Sequence, residues 1–418
     1  MLLKDQKRLL KKEQHNLKEN NQGNLIRMNE RYELPEELRL ARNLVREFNK
    51  NEILPLEQII PHDSITIPDD DFNRLSQKTK EMGLWCMTVP EKYGGSGLSE
   101  FANAVLTEEM VQHAAGLYCP AYGTMGDAPP EIIWAGSDYQ IETYGIPTVE
   151  HKKKGWFAIT EPSGGSDPAR AIQTHARRDG DDWIINGSKI YISGSPWGDW
   201  GIVFARTDPD SRRGLTAFIV ENEWDGLTVE PVPVMRAYYP GQLFFDDLRV
   251  PNKNILGEVD RAWDLLANKL LARARIPYSA SNLGVAVAAH NMAVEYSKTR
   301  ETFGAPLATR QAIQWMLVDN EIDIRACRWL IWEAAWQFDN NEDFRQAASV
   351  AKIHSAETLG RVVDRSIQIH GGMGVTEWLP LERWYREARI RRIGEGPTEV
   401  QKMVIAREII SPGGTPQT

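Results

Sequence analysis

The period of the apolar positions changes twice along the chain. From about Leu34 to Val149 the pattern reads as helices joined by loops, with breaks at Pro55, Pro61, Pro90 and the Gly94-Gly95-Ser96-Gly97 turn. From about Trp156 to Asn254 it shortens to alternating or β-branched runs: Trp156 to Thr160, Trp183 to Ile185, Lys189 to Ser193, Gly201 to Arg206, Leu215 to Val220 and Gln242 to Val250. Asp179-Gly180-Asp181 and Asn186-Gly187 read as turns between them, and Pro251 as the end of the region, which predicts an antiparallel sheet. After about Trp263 helical spacing returns and persists.

One helix of this last region carries two apolar stripes. Ile313, Leu317, Ile324, Cys327, Ile331, Ala334 and Phe338 recur on one face. Trp315, Ile322, Trp329, Trp332 and Trp336 form a second. A helix apolar on two sides is expected inside a bundle or at a subunit contact, with its aromatic stripe in core packing.

Composition narrows the class. A chain of 418 residues exceeds one ordinary core and implies two or three domains. Its 42% apolar and 26% charged residues are those of a globular protein, and no apolar run is long enough to span a membrane. A net charge of -9 argues against general nucleic-acid binding. Cys86, Cys119 and Cys327 have no metal spacing and leave an odd cysteine, as in a reducing compartment; the histidines show no ligand pairing, so no metal is expected. Residues 1–33 form a charged extension that resembles neither a signal peptide, which needs an apolar stretch, nor a transit peptide, against which Asp5, Glu13 and Glu19 count. A cytoplasmic location follows as the expectation.

The most suggestive chemistry lies near the C-terminus, where Gly394-Glu395-Gly396 places a carboxylate between two glycines. Such a group can be aimed into a cavity, and withdrawal from water would make it a useful base. A solvated loop carboxylate accounts for the motif too. Thr160 to Asp167 offers hydroxyls and amides to a polar ligand but lacks the Lys of a phosphate loop, and a surface turn accounts for it. Tyr191 and Ser193 share a strand face. Gln368 to Gly374 and Arg300 to Gly304 each end a helix. The run Arg383, Arg386, Arg389, Arg391, Arg392 reads as a solvated, salt-bridged face.

Taken together, these segments resemble the acyl-CoA dehydrogenase family, in the family's order. Thr88 to Gly97 is similar to its N-terminal signature, Phe157 to Asp167 to its first flavin-loop signature, and Phe245 to Pro251 to the end of its β domain. Arg300 to Gly304, Gln311, Gln368 to Gly372 and the Glu395 loop match its C-terminal features. The likeness covers about Leu34 to Ile410.

The resemblance implies an α+β, mainly α, acyl-CoA dehydrogenase-like fold. It has an N-terminal helical domain (34–155), a middle antiparallel β domain (156–262) and a C-terminal four-helix bundle domain (263–418). It implies FAD bound between domains and across a subunit contact of a homotetramer. Phe157, Ile159, Thr160, Gly165, Ser166, Tyr191, Ile192 and Ser193 would surround the flavin. Arg300, Thr302, Phe303, Gln311, Gln368, Ile369, Gly371 and Gly372 would reach it from the adjoining subunit, and Pro397, Thr398 and Glu399 would complete the site. Ser166, Arg275, Glu395 and Gly396 are the implied contacts of an acyl-CoA substrate.

In this scheme Glu395 takes the α-proton and the β-hydrogen leaves as hydride to flavin N5, giving a trans-2-enoyl-CoA. Electrons then pass to an electron-transferring flavoprotein. Some members place the base just before the arginine matching Arg275; that residue is Ala274 here, which leaves Glu395. Pro397 replaces the usual Thr and removes a backbone donor, so the cofactor contact is expected to shift to Thr398 or its neighbour. Ala272 replaces an expected Asp, and Tyr238-Tyr239 a small or polar pair, so an unusual acyl group or altered CoA contact is expected. The alternatives are an acyl-CoA oxidase using O2, and a non-catalytic flavin-binding relative that binds nucleic acid or a protein partner.

Overall fold

The structure is a computed structural model that describes residues 34–236, 238–265 and 270–411; the N-terminal extension lies outside them. Three helices dominate the first region: α1 (Glu36–Phe48), α2 (Asp69–Met82) and α3 (Glu100–Met110). Ser99 caps α3 by accepting from the Ala102 amide, and Gly83 ends α2 in the left-handed conformation.

The middle region is one sheet of eight strands. They are β1 (Gly155–Ala158), β2 (His175–Asp179), β3 (Asp182–Ile192), β4 (Trp200–Arg206), β5 (Leu215–Glu221), β6 (Leu227–Pro231), β7 (Gly241–Pro251) and β8 (Ile255–Leu256). Their order is β6-β7-β3-β2-β4-β5-β8, antiparallel except where β4 meets β1 and the end of β2. Strands β4 and β5 are buried along nearly their whole length. One sheet face packs Trp156, Val203 and Phe218; the other packs Trp200, Phe204 and Ile219 against Ile132, Ile133 and Tyr144 of the first region. Burial on both faces explains why these strands read as unbroken apolar runs.

One expected turn proves to be something else. Asp179-Gly180-Asp181 joins β2 to β3, but Asn186-Gly187 lies inside β3, where the register with β7 shifts. Gly187 has φ 141°, and a Cβ there would sit 2.6 Å from Thr174 Oγ1. Asn186 exchanges hydrogen bonds with Asp247 across the pair. The dipeptide forms a β-bulge that bends a long strand.

The last region packs α4 (Arg275–Thr299), α5 (Gln311–Asp339), α6 (Arg345–His370) and α7 (Leu381–Arg391) as a four-helix bundle, with α8 (Thr398–Ile410) against α6. Helix α3 joins the same core, closely enough that a Cβ on Gly284 would lie 2.2 Å from the Glu108 carbonyl oxygen. The two stripes of α5 part company. Ile324, Cys327 and Ile331 are buried, and so is Trp332, but Trp315 and Ile322 are each 60% exposed. Core packing thus accounts for Trp332 but not for the earlier part of the aromatic stripe, which no element among the described residues covers.

Candidate active site

Helix α7 ends at Arg391, and the chain turns through Gly394-Glu395-Gly396 before Pro397 starts α8. Glu395 has φ 55° and Gly396 φ 82°. The first is costly for a residue with a Cβ, and held outliers of this kind mark functional loops. Two buried side chains hold the turn. Lys352 Nζ of α6 donates to the Gly396 carbonyl at 2.7 Å. Gln401 Nε2 donates to the Glu395 and Gly396 carbonyls at 3.1 and 3.2 Å. A Cβ on Gly396 would lie 2.4 Å from Gln401 Nε2, so with its positive φ any other residue would strain the turn and displace that amide.

With its backbone so fixed, the Glu395 carboxylate projects outward. The expectation that it is withdrawn from water is not met in the single chain: Glu395 is exposed. Its surroundings are not. Burial lowers the ammonium of Lys352 to about 8, with Glu395 opposing the shift. Burial likewise lowers the Arg275 guanidinium, again opposed by Glu395. Arg275 Nη1 donates to Ser349 Oγ at 3.1 Å, while its buried Nε has no partner among the described residues. A carboxylate in the field of two desolvated cations is therefore built into the loop.

The shift of a backbone contact to Thr398 is constrained. Its N–H donates to the Arg392 carbonyl at 3.1 Å, leaving a buried hydroxyl without a partner among the described residues. Ala274 is exposed at the start of α4 and carries no group able to accept a proton.

A second cluster forms at the sheet. The Ile190 amide donates to the Thr160 carbonyl at 2.9 Å, and Lys189 Nζ to the Ile159 carbonyl at 3.1 Å, so residues 157–160 and 191–193 adjoin. Glu161, which motif reading left without a role, anchors this junction. It is buried, accepts from the Gln173 and Thr174 amides at 2.7 and 3.0 Å, and pairs with fully buried Lys189 at 2.8 Å. Burial pushes its carboxyl up, but Lys189 and these donors outweigh it and hold it low. The loop beyond leaves Gly165 and Ser166 exposed. Tyr191 and Ser193 are exposed and Ile192 between them is buried, but they do not share a strand face as expected: Tyr191 has φ 62° where the register with β7 shifts, and Ser193 lies in the turn after β3.

A third cluster lies at the far end of the bundle. Tyr296 stacks on His370 with ring centroids 4.3 Å apart and joins the ends of α4 and α6, from which the hairpin β9 (Glu301–Thr302) and β10 (Ala305–Pro306) and the Gly371 turn respectively continue. Arg310 Nη2 donates to the Thr302 carbonyl at 2.8 Å and ties Gln311 to the hairpin. Arg300, Gln311, Gln368, Gly371 and Gly372 are exposed, and Phe303 is 99% exposed at φ 49°. Ile369 points into the core, so it can offer a ligand only its backbone.

The basic run behaves differently from the expected solvated face. Arg386 pairs with Glu382 and Asp63, and Arg392 with Glu357. Arg383 and Arg391, however, are buried. Helical spacing turns them inward from α7, where Arg383 meets Glu387 and Arg391 meets Asn282 and Ser281 of α4.

Family models described as the acyl-CoA dehydrogenase N-terminal, middle and C-terminal domains match residues 35–152, 156–248 and 263–410. The chain belongs to the acyl-CoA dehydrogenase family. It is 35% identical over 384 residues to the mitochondrial short-chain specific acyl-CoA dehydrogenase of Rattus norvegicus, covering 90% of this chain and 91% of that one. It is also 35% identical over 381 residues to a 3-(aryl)acrylate reductase of Clostridium sporogenes, covering 90% and 99%. The structure of butyryl-CoA dehydrogenase from Megasphaera elsdenii superposes with a TM-score of 0.80 at 31% identity, covering 90% of this chain and 99% of that one.

Acyl-CoA dehydrogenases are FAD-dependent oxidoreductases, and this chain is an enzyme of that kind. Its residues fit the cofactor. The junction of residues 157–160 with 191–193 presents an exposed ring and hydroxyl, and the orphaned Thr398 hydroxyl awaits a polar partner.

Proposed function

We propose that the protein oxidises an acyl-CoA thioester to a trans-2-enoyl-CoA, with Glu395 as the base for the α-proton. The observation that carries this reading is the turn itself. A carboxylate on a left-handed residue, pinned through its own and the following carbonyl by Gln401 and Lys352, is placed rather than loose. An α-proton beside a thioester is weakly acidic, so its removal needs a positioned base. A thioester covering the loop would exclude water from it. Arg275 and Ser166 would contact the thioester, with Gly396 lining the same turn. FAD, when bound, supplies the hydride acceptor.

In the same reading the three cofactor clusters act together across subunits. Phe157 to Ser166 and Tyr191 to Ser193 hold FAD from one subunit, and the Arg300 to Gly304 hairpin, Gln311 and Gln368 to Gly372 from its neighbour. The exposed Trp315 and Ile322 on α5 support a homotetramer, since a stripe of that kind is normally covered. The residue spans 34–155, 156–262 and 263–418 then serve as the three domains. Three buried free cysteines suit a reducing, cytoplasmic compartment. Among the described residues no helix is long and apolar enough to cross a membrane. An electron-transferring flavoprotein would take the electrons.

The test is anaerobic mixing of the FAD-loaded protein with straight, branched, aromatic and carboxylated acyl-CoAs. Bleaching of the flavin absorbance by at least one thioester is expected. No bleaching by any of them would overturn the reading. Rapid peroxide formation in air would replace the flavoprotein acceptor with O2.

A further inference from the structure

Two buried guanidinium groups, Arg236 and Arg391, form no ion pair among the described residues. They are 5% and 4% exposed and share one aromatic wall. Arg236 lies 3.8 Å and Arg391 5.2 Å from the ring centre of Tyr118. Tyr238 lies 4.5 Å from Arg236, and Tyr278 lies 3.5 Å from Arg391. Arg236 donates Nε to the Tyr238 carbonyl at 2.5 Å, and its guanidinium makes no other hydrogen bond among the described residues. Arg391 donates Nε to Asn282 Oδ1 at 2.6 Å and Nη2 to the Tyr278 carbonyl and Ser281, which leaves Nη1. The Tyr118 hydroxyl is buried without a partner among the described residues.

A buried cation without an anion is strongly disfavoured, and aromatic faces recover only part of that cost. The nearby acids do not neutralise the pair. Glu387 pairs with Arg383 at 3.4 Å and lies in the field of Arg236 and Arg391 as well, but burial outweighs all three and raises its carboxyl to about 7. Burial also raises the Asp127 carboxyl. The excess positive charge adjoins the proposed base. Tyr278 Oη donates to the Arg391 carbonyl at 3.2 Å and lies in the field of Glu395. Between the two stands Gly394, where a Cβ would come within 2.8 Å of that hydroxyl.

We propose that Arg391 and Arg236, on the wall of Tyr118, Tyr238 and Tyr278, bind a carboxylate at the far end of the acyl group. The substrate class is then a dicarboxylic acid held as its monothioester. This rests on the dehydrogenase reading of Glu395. The depth of the two arginines suits a small anion on an acyl chain better than the bulky phosphates of CoA, and guanidinium matches carboxylate geometry.

The experiment uses FAD-loaded Glu395→Gln protein, so that binding is read without turnover. Calorimetry compares succinyl-, glutaryl- and adipyl-CoA with butyryl-, valeryl- and hexanoyl-CoA, matched in chain length. At least one carboxylated thioester is expected to bind about ten- to a hundredfold tighter than its match, by the strength of a charged hydrogen bond. Arg391→Gln in the same background is expected to erase that advantage while retaining the neutral ligand. Equal or weaker binding of the carboxylated member at every length overturns the proposal, even if the arginine variant fails to fold. Neutral thioesters that bleach the wild-type flavin in that case leave the dehydrogenase reading intact. If no thioester binds or bleaches, both fall.

Discussion

Lys352 reaches from the interior of α6 to the Gly396 carbonyl, 2.7 Å away and one residue past Glu395. A buried ammonium thus sets the backbone of the loop without touching the carboxylate that the loop presents. Lys352→Met is expected to retain FAD and to bind acyl-CoA with little change in Kd. Flavin bleaching should slow by about ten- to a hundredfold, because small displacements of a reacting group cost that much. Unchanged bleaching would mean that Gln401 alone suffices.

The same lysine has a signature in pH. Burial lowers its ammonium from the ordinary value near 10.5 to about 8. Between those values the unfolded chain holds more protons than the folded one, so stability rises with pH there. The burden of the buried charge is full below 8 and is relieved toward 10.5. Urea midpoints of wild type and Lys352→Met, taken at pH 7 and pH 9.5, should show the wild type gaining on the variant. Parallel behaviour would place the lysine in water.

Removing one member of the Lys189–Glu161 pair should be severe. Lys189→Met strands a buried carboxylate and is expected to destabilise the protein by about 3 kcal/mol or more. FAD retention should fall with it, because Glu161 holds the 160–174 segment against β3. Urea titration and the flavin absorbance of the purified variant check both. A loss below about 1 kcal/mol would contradict the assignment.

How far the sequence could be read depended on whether a signal was local. The Gly394-Glu395-Gly396 turn was visible as a local motif, but alone it reads equally as a solvated loop carboxylate, and only its place among the other family-like segments singled it out. The strands β4 and β5 were legible as continuous apolar runs. Arg391 was not, because a charge within a basic run reads as solvent-facing, and only the phase of α7 turns it inward. That phase was visible in principle: Trp384, Ala388 and Arg391 recur at helical spacing on the buried face. Lys352 was similarly readable among Ala348, Ala351, Ser355 and Leu359. Glu161 was missed because its donors lie twelve and thirteen residues on, in a segment that motif reading treated as connection. The cluster of Tyr118, Tyr238 and Tyr278 comes from three distant segments, and no local pattern assembles it. Asn186-Gly187 misled for the opposite reason. Its turn chemistry also serves a bulge, and only the pairing with β7 distinguishes them.

The exposed stripe on α5 gives a prediction about assembly. Trp315→Glu combined with Ile322→Glu should shift a tetramer toward smaller species in light scattering, with far-UV circular dichroism retained. FAD occupancy should drop in parallel if the neighbouring subunit supplies the hairpin. An unchanged mass would remove α5 from the interface.

Glu395→Gln, loaded with FAD and mixed anaerobically with the best acyl-CoA, addresses the base directly. The variant is expected to stay yellow, with bleaching slowed by at least about a hundredfold while acyl-CoA still binds, as loss of a general base requires. Bleaching at the wild-type rate would show that another group removes the proton.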